Sequence, residues 1–195
     1  QAIRVASLYS DDPRRIALAC NRLLIKEGGD RLASAFIGVL DPVHGTLRYV
    51  SAGHTPPVLR LPSREIARLQ APSPPLGAFD DVELQVHETR CPAGSMLVLY
   101  TDGLIEISRD VVAGEEMLSR VLASDAVLHA SNPAEFIERA IGNEVPRDDI
   151  AIMAVSFGRP EKRWQFEAAD ARAAYTMRDD FFRTIEERCS VGEED

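Results

Sequence analysis

The chain has 195 residues, 45% of them hydrophobic and 27% charged, with a net charge of −9. That length allows one domain with a real core, or one domain plus a fragment. The negative balance counts against nucleic-acid binding, which needs a basic surface to neutralise phosphates. Cys20, Cys91 and Cys189 are too few and too scattered for a disulfide framework or a zinc site, and no apolar run approaches the ~20 residues of a membrane span.

The chain opens on Gln1 inside what reads as the end of a helix, residues 1–9, with no signal pattern before it. A missing natural N-terminus and a cytoplasmic location are therefore expected. Ser10-Asp11-Asp12-Pro13 reads as a fresh helix start, since an acidic side chain accepts orphan N–H groups and Pro suits the first helical position. Ile16, Ala19, Cys20, Leu23 and Leu24 are the expected buried face, and Gly28-Gly29 the stop.

A strand-rich stretch follows. Residues 33–40 predict a strand buried on both faces, residues 41–45 a turn, and residues 46–51 the returning strand. Residues 56–61 and 65–69 predict a second hairpin about Pro62-Ser63. The prolines at 72, 74 and 75 require an irregular loop over 71–77. Residues 82–88 alternate like a half-exposed strand, and residues 95–100 read as a buried one. Short helices are expected at 115–122 and from Asn132-Pro133 to about 141, the latter with Phe136, Ile137 and Ala140 on one face. Residues 149–157 predict a last buried strand. Beyond Gly158 the character changes, with a short strand expected at 163–167 and a charged helix at 170–188. The expected domains are 1–158 and 159–195. Helices, then hairpins, then helices imply antiparallel sheet with helices packed outside it.

Three segments offer chemistry. The run from Met96 to Tyr100 delivers Asp102 at a strand end, and Gly103 leaves room for close backbone approach. Asp-Gly is also the commonest hairpin-turn signal, with 104–107 as the returning strand. Asp148-Asp149 begins the last strand, where two adjacent carboxylates repel unless a divalent cation or Arg147 relieves them. His54, after Ser51-Ala52-Gly53, is open to a role as base or ligand, but more often such a histidine makes structural hydrogen bonds in a turn. His44, His87 and His129 read as surface residues.

Together these segments resemble one family. Ser34-Ala-Phe-Ile-Gly-Val-Leu-Asp41, Leu47-Arg-Tyr-Val-Ser-Ala-Gly-His54-Thr-Pro-Pro-Val58, Pro75-Leu-Gly77, Leu99-Tyr-Thr-Asp-Gly-Leu-Ile-Glu106 and Asp148-Asp-Ile-Ala151 look like the SpoIIE-like branch of the PPM (type 2C) metal-dependent protein phosphatases. They occur in the family's order over residues 10–158. The resemblance implies an α+β fold: an antiparallel β-sandwich flanked by helices, incomplete here at the N-terminus. It implies two manganese or magnesium ions between the sheets, and hydrolysis of phosphoserine or phosphothreonine by water that the metals activate, so that no side chain is itself catalytic. By motif, Asp102 and Asp148 would be metal ligands. Asp149, Gly103, Glu106 and His54 would support them or be structural.

Two acidic motifs of the family do not occur in the chain, and Ala151 stands where Thr or Ser is usual. The isolated chain is therefore expected to be inactive, and a longer parent active on a phosphorylated regulatory protein of the anti-sigma-factor-antagonist type. The competing reading is a non-catalytic interaction module on a degenerate phosphatase fold. Homodimerisation is left open. The segment Arg163-Trp-Gln-Phe-Glu-Ala-Ala-Asp-Ala-Arg172 resembles the opening of anti-sigma-factor serine kinase domains of the GHKL ATPase type, with a plain amphipathic helix as the alternative.

Overall fold

A computed structural model describes residues 2–28, 31–106, 110–142 and 148–158. All of them belong to one compact unit, Gln1–Arg159. The strand and helix expected in the tail lie outside the described residues. No helix among the described residues is long and apolar enough to cross a membrane.

Helix α1 (Ala2–Ser7) leads into α2 (Pro13–Glu27). Asp12 caps α2 by accepting from Arg14 N–H, Pro13 occupies the first turn, and Gly28 takes a positive φ at its end. The buried stripe is Ile16, Ala17, Cys20 and Asn21, so the expected face is rotated: Ala19 and Leu23 are exposed. The cause is Asn21. Its amide donates to Phe79 O at 2.9 Å and its carbonyl accepts from Gly77 N–H at 2.7 Å, so a polar residue can lie buried.

Strands β1 (Ala35–Asp41) and β2 (Thr46–Ala52) form the expected hairpin, registered from Ala35↔Ala52 to Asp41↔Thr46. Strands β3 (Val58–Arg60) and β4 (Ile66–Arg68) form the second hairpin. Strand β5 (His87–Arg90) pairs with β2, β6 (Ser95–Tyr100) with β3, and β7 (Ile152–Phe157) with β6. The result is two antiparallel sheets, ordered β1-β2-β5 and β4-β3-β6-β7. Helices α3 (Val111–Ala123), α4 (Ala126–His129) and α5 (Pro133–Ile141) complete the unit.

Several expectations need correction. Strand β1 is only partly buried because it is a sheet edge among the described residues, and β7 is half-exposed for the same reason. The alternation over 82–86 correctly puts Val82 and Leu84 inside, but the ladder begins only at His87. Asp102-Gly103 makes no hairpin: Asp102–Leu104 is a 3-10 turn, and Leu104 and Ile105 go into the core. Helix α3 starts four residues earlier than expected, because Asp110 accepts from Val112 and Ala113 N–H. On α5, Ile141 rather than Ala140 shares the buried face with Ile137.

Side-chain alternation sorts the core into three slabs. Leu47 and Tyr49 of β2 meet Leu59 of β3 and Leu97 of β6 between the sheets. On the outer face of the first sheet, Ile37, Val50 and Ala52 pack against Ile16, Ala17 and Cys20 of α2. On the outer face of the second, Val58, Met96, Val98 and Tyr100 pack against Leu118, Leu122, Val127, Ile137 and Ile141 of α3–α5. This is the antiparallel β-sandwich flanked by helices that the motifs imply.

Candidate metal centre

Strand β6 is the buried middle of its sheet, and all but one of its six residues are buried. It ends at Tyr100, whose phenol points into the helical layer, where burial pushes its pKa up. The chain then turns tightly. Asp102 O accepts from Ile105 N–H at 2.9 Å and Glu106 N–H at 3.0 Å, and the Asp102 carboxylate is exposed at the rim of the sandwich. One of its oxygens accepts from Gly103 N–H at 3.1 Å.

The first described residues before β7 reach the same rim. The ladder continues past Tyr100↔Ile152, with Thr101 N–H donating to Ala151 O at 3.1 Å. The Thr101 hydroxyl then donates to Asp149 O and accepts from Ala151 N–H, both at 2.9 Å. Gly103 lies against this segment so closely that a Cβ there would stand 2.9 Å from Asp149 O and 3.2 Å from Asp148 O. Asp148 and Asp149 are exposed, and Asp149 N–H donates to an Asp148 carboxylate oxygen at 2.8 Å. Asp102 and Asp148, 46 residues apart in sequence, therefore arrive on adjoining turns with their carboxylates at the surface.

The other flagged residues divide. Gly103 is the contact between the two turns. Glu106 closes the 3-10 turn through its backbone, and its side chain is exposed. His54 is half-buried, with Nδ1 2.6 Å from Thr55 O and its ring tilted against Phe36. His87 is not a plain surface residue, because its ring stacks on Tyr49 at 5.6 Å. Two residues escaped sequence reasoning. The Thr101 hydroxyl matters only once the register of β7 is known. Gly114 lets α3 press onto the turn after Asp102, where a Cβ would meet Ile105 O at 2.0 Å. A glycine interrupting an otherwise helical run was the available signal.

Exposed carboxylates are the hard oxygen donors that magnesium and manganese take. The donors thus fit such a cation in kind. In number they fall short: among the described residues no group of three or more His, Cys, Asp or Glu side chains could hold a metal ion.

Comparison with known proteins identifies the family. The family model of Stage II sporulation protein E (SpoIIE) matches residues 1–158. Phosphoserine phosphatase RsbP of Bacillus subtilis (strain 168) is 36% identical over 67 residues, which are 34% of this chain and 17% of RsbP. The crystal structure of the RsbU and RsbW domains of Rv1364c from Mycobacterium tuberculosis has a TM-score of 0.70 at 23% identity, covering 96% of this chain and 54% of that one. The manganese-presoaked phosphatase domain of the cell fate determinant SpoIIE from Bacillus subtilis has a TM-score of 0.56 at 14% identity, covering 82% of this chain and 71% of that one. The two structural likenesses concern the fold. The chain spans less than a fifth of the curated relatives it matches and about half of the Rv1364c chain. With four-fifths of its length matched by one family model and its fold shared with that family's solved phosphatase domain, the chain belongs to the SpoIIE family of PPM-type phosphatases.

Proposed function

We propose that this chain carries part of the metal site of a protein serine/threonine phosphatase, with Asp102 and Asp148 as ligands of manganese or magnesium. The proposed substrate is a phosphoserine or phosphothreonine in a regulatory protein of the anti-sigma-factor-antagonist type. The observation that carries the reading is the contact at Gly103 between the two turns that bear Asp102 and Asp148, where the backbones leave no space for a Cβ. The matched relative named a phosphoserine phosphatase supports the reaction, and the manganese-presoaked SpoIIE domain supports the cation.

When bound, the cations would acidify water and neutralise charge on phosphoryl oxygens. The chain's own residues hold the ligands still. Thr101 ties the Asp148-Asp149 turn to the end of β6, and the 3-10 turn fixes the direction of Asp102. Asp149 stands beside Asp148, where it adds negative potential that favours a divalent cation. The tail reading, the start of a GHKL-type anti-sigma kinase domain, is part of the proposal. It rests on the motif Arg163-Trp-Gln-Phe-Glu-Ala-Ala-Asp-Ala-Arg172, and the matched Rv1364c structure is one that holds an RsbW domain behind an RsbU domain.

The test is manganese-dependent hydrolysis of a phosphoserine peptide by the full-length protein. Asp102→Asn and Asp148→Asn should each lower kcat/KM by more than about 100-fold, because loss of even an outer partner of a metal costs 10–100-fold. Thermal midpoints should move little, since both side chains are exposed. Variants as active as the parent would overturn the ligand assignment. A parent that binds its partner without turnover would establish the interaction-module reading instead.

A further inference from the structure

The rim that carries Asp102 and Asp148 continues onto the first sheet. Strand β2 ends at Ala52, residues 53–57 cross to the second sheet, and Val58 pairs with Val98 just below the end of β6. Strand β5 is antiparallel to β2, so its beginning lies at this same end. Here β2 and the chain before β5 part company. The last pair is Tyr49↔His87; beyond it β2 turns to the 71–73 segment, with Ser73 Oγ donating to Ser51 O at 2.8 Å and Gly53 N–H donating to Ser73 O at 2.9 Å.

A cleft of about 450 Å³ opens where they separate. Arg14, Ser51, Ser73, Glu83, Gln85 and His87 supply its polar lining. Among the described residues, the side chains of Arg14, Glu83 and Gln85 have neither a hydrogen bond nor an ion pair, and His87 has only its stack on Tyr49. The backbone is equally unengaged. Residues 82–86 run with strand-like alternation, Val82 and Leu84 in and Glu83 and Gln85 out, yet among the described residues their N–H and C=O groups pair with nothing. An extended, unpaired edge next to unpartnered charged and amide side chains matches the pattern of a peptide, whose own backbone pairs with the edge while side chains fill the flanking pocket. An inorganic anion could take Arg14 but would leave the length of the 82–86 edge unpaired.

We propose that this cleft docks an extended segment of the phosphorylated protein substrate, lying along residues 82–86 and placing an acidic residue on Arg14, so that its phosphoserine reaches the Asp102–Asp148 rim. The inference rests on the phosphatase reading above. Arg14 is a forked donor suited to a carboxylate, and it stands on a chain whose net charge is −9. Gln85 and the free backbone groups bind peptide amides regardless of sequence. Arg14 thus selects the partner, and the 82–86 edge supplies affinity for any extended chain.

The probes are two synthetic phosphoserine peptides, one flanked by glutamates and one by glutamines, with p-nitrophenyl phosphate as a substrate too small to span the cleft. For the full-length protein, kcat/KM is measured on all three with manganese, and peptide binding is measured by fluorescence anisotropy without metal. The acidic peptide should be favoured about tenfold in both readouts, a tenfold ratio being 1.4 kcal/mol. Arg14→Glu should erase that preference, and Gln85→Pro, which removes one backbone donor, should weaken both peptides alike. Both substituted side chains are exposed, so the fold should tolerate the changes. Equal handling of the two peptides by the parent, or variants that bind them as the parent does, would overturn the cleft assignment. A protein inert toward p-nitrophenyl phosphate that still binds the acidic peptide through Arg14 would remove the phosphatase reading and leave the cleft standing.

Discussion

Thr101 spends both hydrogen-bonding capacities of its hydroxyl on the chain that carries Asp148, donating to Asp149 O and accepting from Ala151 N–H. Valine has the same shape and neither capacity. Thr101→Val should therefore cost about 1 kcal/mol in urea unfolding, the usual net worth of such a bond. It should also weaken manganese binding to the full-length protein in calorimetry, because Asp148 would no longer be held in register with Asp102. An unchanged affinity would mean that the two turns are set by Gly103 alone. At this scale the sequence was informative about charge and mute about hydroxyls. Asp102, Gly103 and Asp148 stand out from their motifs, whereas Thr101 is one threonine among others until the register of β7 puts Ala151 and Asp149 beside it. The Asp-Gly pair was ambiguous for a physical reason: a tight hairpin turn and a strand-end 3-10 turn ask for the same small, flexible residue.

Elements were legible where their partners are local. The β1–β2 and β3–β4 hairpins follow from alternation and turn residues, and the α2 and α5 starts from Asp12-Pro13 and Asn132-Pro133. What was not legible depends on distant partners. The 82–86 segment alternates correctly but meets no neighbouring strand, because β2 has turned to residues 71–73. The rotation of α2 hangs on Asn21, whose partners lie more than fifty residues away. Helix α4 is one turn long, below what periodicity can detect. Helix α3 depends on Gly114 in the same way. With Ile105 O where a Cβ would be, Gly114→Ala cannot be absorbed by a side-chain rotation, since the obstacle is backbone. It should destabilise by about 3 kcal/mol, the upper end for overpacking, despite alanine's better helix propensity. A chemical-denaturation series with Gly114→Ser as a second variant would check this, and a neutral result would mean that α3 shifts freely relative to the rim.

Over the whole unit, the three apolar slabs explain why so ordinary a composition folds, and they also seal its described thiols. Cys20 lies on the buried face of α2 and Cys91 between the sheets, both nearly inaccessible. Burial pushes both thiols up from an ordinary 9.0, and the Tyr49 and Tyr100 phenols up from 10.0. Each of these groups is neutral when protonated, so the fold favours the protonated form. Their contribution is complete below the unfolded values and is lost as pH rises through the higher folded values. Stability should thus fall on the alkaline side, beginning above about pH 9. In a Cys189→Ser background, Cys20 and Cys91 should react with a thiol reagent at pH 8 only as fast as the protein opens. Immediate labelling would contradict the packing.

The two acids also differ in what they are anchored to. Asp102 follows β6, enclosed by a strand on each side, while Asp148 precedes β7, which among the described residues has a strand partner on one side only. Amide hydrogens in β6 should exchange through the rarest, most global openings, and those at the start of β7 through frequent local fraying. Each fraying event would carry one carboxylate away from the other. The lifetime of the assembled pair would then be set by the edge strand, and on the proposed ligand assignment manganese should slow exchange at residues 150–152 far more than in β6.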